Sequence, residues 1–133
     1  MKGSTSTLTR GLPFGATIPT CDNSGAKVVR IYTVQGLKTV SGRYPAAAIG
    51  DLVHASVKKG KPEMRKKSVL AIVVRQRKEF RRQEGIRVQF EDNAVVVVKD
   101  EKGNPQGTIF KGPLAKEACE RWPAVAKIAS IIV

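Results

Sequence analysis

At residue 75 the chain changes character within a single peptide unit. Residues 69–74 (Val-Leu-Ala-Ile-Val-Val) form an unbroken apolar run rich in β-branched side chains, the pattern of a strand covered on both faces. Residues 75–85 follow as Arg-Gln-Arg-Lys-Glu-Phe-Arg-Arg-Gln-Glu-Gly. They put charge on both faces of an extended chain, so neither face is expected against an apolar core. Alternation returns at Ile86, Val88 and Phe90. The simplest geometry is a buried strand that ends at Val74 and a two-stranded basic ribbon that leaves the body there and re-enters near Val88. An isolated ribbon is marginal in water, so this one is expected to be ordered mainly by phosphates lying against it.

The rest of the chain predicts a mainly β fold, a small barrel with that ribbon projecting from it. Residues 51–59 alternate Val53, Ala55, Val57 with His54, Ser56, Lys58, the period of a half-buried strand. Residues 60–67 are a basic turn marked by Gly60 and Pro62. Further strands are predicted at 16–21, 26–35, 94–99 and 108–110, with a turn at Asp22-Asn23-Ser24-Gly25. Pro19 confines the first of these to an edge or a bulge. Residues 36–50 read as a loop. Helix is expected only late, beginning at Pro113 with Leu114, Ala115, Ala118, Cys119 and Trp122 on one stripe, then again over 123–130. At 133 residues the chain divides into an arm (1–10), a barrel with its ribbon near 75–88 (11–112) and a helical end (113–133) of one domain.

Charge is unevenly placed. There are 24 Lys and Arg against 11 Asp and Glu, a formal net of +13. Residues 58–87 alone hold 12 of the cations and 3 of the acids, whereas residues 88–133 hold 6 of each. Such an excess points to a polyanionic partner, nucleic acid first. Half of the clustered cations are arginine, whose planar fork suits phosphate. The candidate contacts are Lys58, Lys59, Lys61, Arg65, Lys66, Lys67, Arg75, Arg77, Lys78, Arg81, Arg82 and Arg87. Phe80 either stacks on a partner or folds back on its own ribbon. Aromatics make up only 5% of the chain, too few for a platform that stacks several bases.

Other chemistries lack their constellations. His54 has no second histidine or nearby cysteine at metal-ligand spacing, so no metal or cofactor is expected. Cys21 and Cys119 form no CxxC pair and read as small buried or half-buried residues of a reduced, cytoplasmic protein. Residues 55–62 imitate a phosphate loop, but Ala55 stands at the first glycine position and Pro62 at the Ser/Thr position. Glu91 and Asp92 would face opposite sides of a strand and are expected to pair with nearby cations. No apolar run approaches the roughly 20 residues of a membrane helix, and the amino terminus has no apolar h-region. An enzyme is not expected. A free β-barrel nucleic-acid module, an RNA chaperone or regulator, would satisfy the composition alone.

Ordered strings narrow the choice. Asp22-Asn23-Ser24-Gly25-Ala26-Lys27, Gly50-Asp51, residues 57–63 (Val-Lys-Lys-Gly-Lys-Pro-Glu), residues 71–78 (Ala-Ile-Val-Val-Arg-Gln-Arg-Lys), Phe90-Glu91-Asp92-Asn93-Ala94 and Gly112-Pro113-Leu114-Ala115-Lys116-Glu117 occur in sequence. Together they resemble the universal large-subunit ribosomal proteins of the L-fourteen family, in the archaeal and eukaryotic branch. The resemblance spans residues 11–133. It implies a five-stranded barrel with small carboxy-terminal helices and a structural role on the cytoplasmic ribosome. The implied partners are large-subunit rRNA, neighbouring ribosomal proteins, small-subunit rRNA across inter-subunit bridges and an anti-association factor on free large subunits. At matching positions it implies RNA contact by Arg75, Arg77, Lys78, Arg81, Arg82, Lys58, Lys59, Lys61, Lys66 and Lys67. Lys116, Glu117, Glu120 and Trp122 are the expected protein contacts.

Overall fold

The computed structural model describes residues 9–35, 46–82 and 84–133. Its strands are β1 (Leu12–Pro13), β2 (Thr17–Pro19), β3 (Ala26–Val34), β4 (Ala46–Ala47), β5 (Leu52–Gly60), β6 (Ser68–Arg75), β7 (Phe80–Arg81), β8 (Arg87–Val88), β9 (Ala94–Val98), β10 (Pro113–Leu114) and β11 (Ile131–Ile132). Helices α1 (Lys116–Arg121) and α2 (Pro123–Ile128) lie between β10 and β11. Five strands form one sheet in the order β2-β3-β5-β6-β9, the mainly β class that the alternation predicts. Part of the loop expected over 36–50 lies outside the described residues. Its end, β4, pairs with β1.

The sheet curls because its long strands are irregular. Register shifts interrupt the β3–β5 pairing at three places, and such bulges increase local twist. The two edge strands approach each other: Cys21 N–H donates to Val95 O at 3.1 Å, and Thr20 bridges Val95. Pro19 thus sits in an edge strand, where its missing N–H costs no interior ladder bond. The β5–β6 hairpin end is held close to the turn at 22–25. A Cβ on Gly60 would stand 2.5 Å from Gly25 O, so only glycine allows that approach.

Residues 71–74 and all of β9 are buried, as an apolar run covered on both faces requires. The curled sheet supplies one cover, and Leu114, Ala115, Ala118 and Val125, all buried in the same cluster, supply apolar surface from the carboxy-terminal region. Pro123 opens α2 at a first helical position, where its lost N–H would be unpaired anyway. Helix α1 starts later than expected. Pro113 and Leu114 are instead a strand, paired in parallel with Ile131 and Ile132. Pro113 has a φ range compatible with either state, and the pairing with β11 decides it.

The ribbon also differs from its expected form. Strands β7 and β8 pair only Phe80 with Val88 and Arg81 with Arg87. Phe80 is fully buried, stacked against Phe90 with ring centroids 6.4 Å apart. One face of this charged segment therefore does reach the core, and Phe80 folds back on its own ribbon.

Candidate nucleic-acid interface

The twelve candidate cations do not form one patch. Strand β6 is 8 residues long, so at about 3.3 Å per residue it sets its two ends roughly 25 Å apart. Lys61, Arg65, Lys66 and Lys67 lie at one end, with Lys58 and Lys59 on the adjoining end of β5. Arg77, Lys78 and Arg81 lie past the other end.

The first group stands on a braced hairpin. Lys61 N–H donates to Gly25 O at 2.9 Å, Lys66 N–H to Val57 O at 3.0 Å and Val57 N–H to Lys67 O at 2.9 Å. Met64 is buried and pins the loop from beneath. Lys66 adopts φ 65°, a left-handed conformation uncommon for a residue with a Cβ. All six basic side chains of this hairpin are exposed.

At the other end the cations divide into two kinds. Arg75 is buried: Nε donates to Asp92 Oδ1 at 3.0 Å, and Nη1 donates to the carbonyls of Lys111 at 2.8 Å and Pro113 at 3.0 Å. A bulge explains this. Val73 faces Val95 while Arg75, not Val74, faces Ala94, and the extra residue shifts the phase of the strand. Arg75 thus clasps the start of β10 and the residues leading into it to the sheet rather than facing outward. Arg82 is half-buried. Its Nε lies 2.9 Å from Glu117 Oε2, its Nη2 donates to Val133 O at 2.7 Å, and its guanidinium sits 5.7 Å from the Phe80 ring centroid. Arg87 pairs with Glu79 at 3.1 Å on the surface, a contact of little stability value. Arg77, Lys78 and Arg81 are exposed, and Arg77 Nε donates to Glu91 O at 3.1 Å.

The four expected protein contacts are also largely engaged. Lys116 Nζ lies 2.6 Å from Glu84 Oε1, which holds the Glu84 carboxyl below its ordinary range. Glu117 is tied to Arg82. Trp122 Nε1 donates to Gly50 O at 2.7 Å, and the indole lies over Gly103, where a Cβ would collide with the ring. Glu120 is exposed. Sequence reasoning passed over the exposed apolar side chains of Ile131, Ile132 and Val133. Their signal is a short apolar run that directly follows Ser130.

The turn residues do more than turn. Asp22 Oδ2 accepts from Val97 N–H at 2.9 Å and Oδ1 from Ser24 Oγ at 2.9 Å, fastening the turn to strand β9. Asn23 Oδ1 accepts from Thr108 N–H at 2.7 Å. Burial raises the Asp22 carboxyl above its ordinary 3.8, and those hydrogen bonds offset only part of the rise. The folded chain therefore keeps a proton at pH values where the unfolded chain has released it. Stability contributed by Asp22 falls as pH rises from about 3.8 through the raised folded-state value, then levels off. Asp22→Asn lacks that titration, so its urea midpoint gains on the wild type across the same interval. A midpoint difference that ignores pH would refute this.

Catalytic features are weak. Cys21 and Cys119 are free and buried. Burial pushes the Cys21 thiol up to about 11 despite the nearby Arg75, and burial also raises Cys119, the opposite of an activated nucleophile. Among the described residues no group of three or more His, Cys, Asp or Glu could hold a metal ion, and no helix is long and apolar enough to cross a membrane.

A small curled sheet that carries exposed cations on a hairpin and a ribbon, capped by two short helices, defines a basic structural protein of barrel type. Comparison with known proteins makes this particular. The family described as "Ribosomal protein L14p/L23e" matches residues 11–133. The chain is 54% identical to the large ribosomal subunit protein uL14 of Picrophilus torridus over all of both chains. It is 52% identical to that of Nanoarchaeum equitans over all of both chains and 50% identical to that of Methanococcus vannielii over 99% of each. The chain belongs to the ribosomal protein L14p/L23e family. It is a ribosomal protein, structural and non-enzymatic.

Proposed function

We propose that the chain is a constituent of the large ribosomal subunit that binds rRNA through two separate cationic ends of its sheet. The observation that carries this reading is how the twelve cations are divided. Arg75, Arg82 and Arg87 are held in ion pairs. Lys58, Lys59, Lys61, Arg65, Lys66, Lys67, Arg77, Lys78 and Arg81 are exposed and make no ion pair among the described residues. Free cations release counterions when phosphate replaces solvent, whereas paired ones must first give up a partner. The roughly 25 Å between the two groups suits contact with two RNA segments better than with one. Neighbouring ribosomal proteins are assigned to the exposed apolar side chains of β11 and to exposed Glu120, surfaces also suited to an anti-association factor. Bridging to small-subunit rRNA falls to the outward cations.

The test is sedimentation of the tagged protein from a native lysate before and after a high-salt wash. Retention on free large subunits and on whole ribosomes is the expected result. Recovery at the top of the gradient, or release at modest salt, would replace this reading with a loosely bound nucleic-acid module.

A further inference from the structure

The outer face of the sheet carries a cluster that neither basic end accounts for. Tyr32 on β3 is 42% exposed, a large share for an aromatic ring on a sheet. It stands beside His54 on β5, with ring centroids 6.2 Å apart and planes tilted by 43°. Both rings are tethered from the side: the Tyr32 hydroxyl hydrogen-bonds Ser68 Oγ on β6, and His54 Nε2 pairs with Gln35 Oε1 at 2.8 Å. Held this way, the rings give up little rotamer freedom when something stacks on them.

Next to them is an open hollow of about 310 Å³, wide enough for one planar base. His54, Ser68, Leu70, Lys99 and Gln106 are among its lining residues, and none of the lining residues is acidic. Lys99 brings a cation to its rim. Lys58 continues along β5 on the same face as His54 and Ser56, and Arg30 lies opposite Ser56 across the β3–β5 pairing. Arg30, Lys58 and Lys99 are exposed and make no ion pair among the described residues. The surroundings thus combine aromatic faces, hydroxyl and amide groups that can meet a base edge, and unneutralised positive charge.

We infer that Tyr32 and His54 form a stacking site for a single unpaired RNA nucleotide, with its base against the rings and its flanking phosphates toward Lys58 and Lys99. This rests on the RNA-binding reading above. Charge selects RNA over an apolar protein segment, because a protein partner would have to bury several cations without finding a carboxylate among the lining residues. Stacking requires an unpaired base, since a duplex hides its π-faces. Lys58 belongs to both the hairpin group and this site, so one RNA strand could pass from the hairpin onto the outer face.

The experiment uses the full chain and a nine-nucleotide single-stranded RNA with a central 2-aminopurine, whose fluorescence falls when it stacks. Wild-type protein is expected to bind it with quenching. Tyr32→Ala and Tyr32→Leu, each with a wild-type urea midpoint, are expected to lose the quenching and about tenfold in affinity, in line with one lost base stack. Neither should change the salt slope, because neither removes a phosphate contact. Tyr32→Phe keeps the ring and should match the wild type. Unchanged quenching in both ring-deleting variants would overturn the stacking site while leaving the cationic ends in place. A loss in Tyr32→Phe equal to that in Tyr32→Ala would also overturn it, since the hydroxyl bond to Ser68 would then be the cause. Failure of wild-type protein to bind any RNA would remove the RNA-binding reading itself.

Discussion

Replacing Lys61, Arg65, Lys66 and Lys67 together with glutamine is expected to weaken RNA binding at every RNA sequence and to flatten its dependence on salt. Each lost phosphate contact lowers the log-log slope by about 0.7–0.9, so four lower it by roughly 3. Carried from 1 M to 0.15 M salt along that slope, the loss is on the order of 10²–10³ in affinity. Titrations at several ionic strengths measure both quantities. The fold should survive, because the loop is braced by backbone bonds and by Met64 rather than by these side chains. Arg82→Gln is the contrasting control: its guanidinium is committed to Glu117 and Val133, so it should lower the urea midpoint and leave the slope alone. An unchanged slope in the quadruple variant, or weakening confined to one RNA sequence, would mean that this hairpin reads bases or does not meet RNA.

Phe80→Ala is expected to cost about 3–5 kcal/mol, the range for emptying a fully buried phenylalanine site. The effect reaches past the cavity. Phe80 stacks on Phe90 and lies under the Arg82 guanidinium, and Arg82 in turn holds Glu117 of α1 and the main chain at Val133. Loss of the ring therefore loosens the ribbon and the carboxy-terminal strand together. Urea unfolding gives the total cost, and amide exchange at 131–133 reports the spread. Phe80→Leu, which retains most of the volume, should cost less than about 1.5 kcal/mol. A penalty below about 1 kcal/mol for the alanine variant would show that the ribbon stands clear of the body.

The ribbon also shows where local pattern stops being informative. Charge on both sides of residues 75–85 suggests a segment with no buried face, yet Phe80 and Gln76 are fully buried there and anchor it. Lys and Arg neighbours do not forbid burial of Phe80, because their long stems carry the charged heads out to water. Arg75 is a second instance. Its neighbours in sequence look alike, and only a bulge at Val74, visible in the β6–β9 register, turns it inward onto Asp92 and two carbonyls.

Local sequence determined the elements whose signal repeats along the chain. The alternation at 53–58 and the apolar run at 69–74 specify strands because a period of two, or cover on both faces, leaves little else for such residues to do. Charge placement likewise marked residues 58–87 as the basic segment, and the ordered strings at 22–27, 57–63, 71–78 and 112–117 marked the family. Tertiary structure alone decided which cations are free and which are spent. It also decided that Pro113 and Leu114 pair with residues eighteen positions further along the chain, and that Tyr32 and His54 from different strands stand side by side at the edge of one hollow. These are pairings between segments distant along the chain. Their energies arise only when the sheet closes, so no window of neighbouring residues carries them.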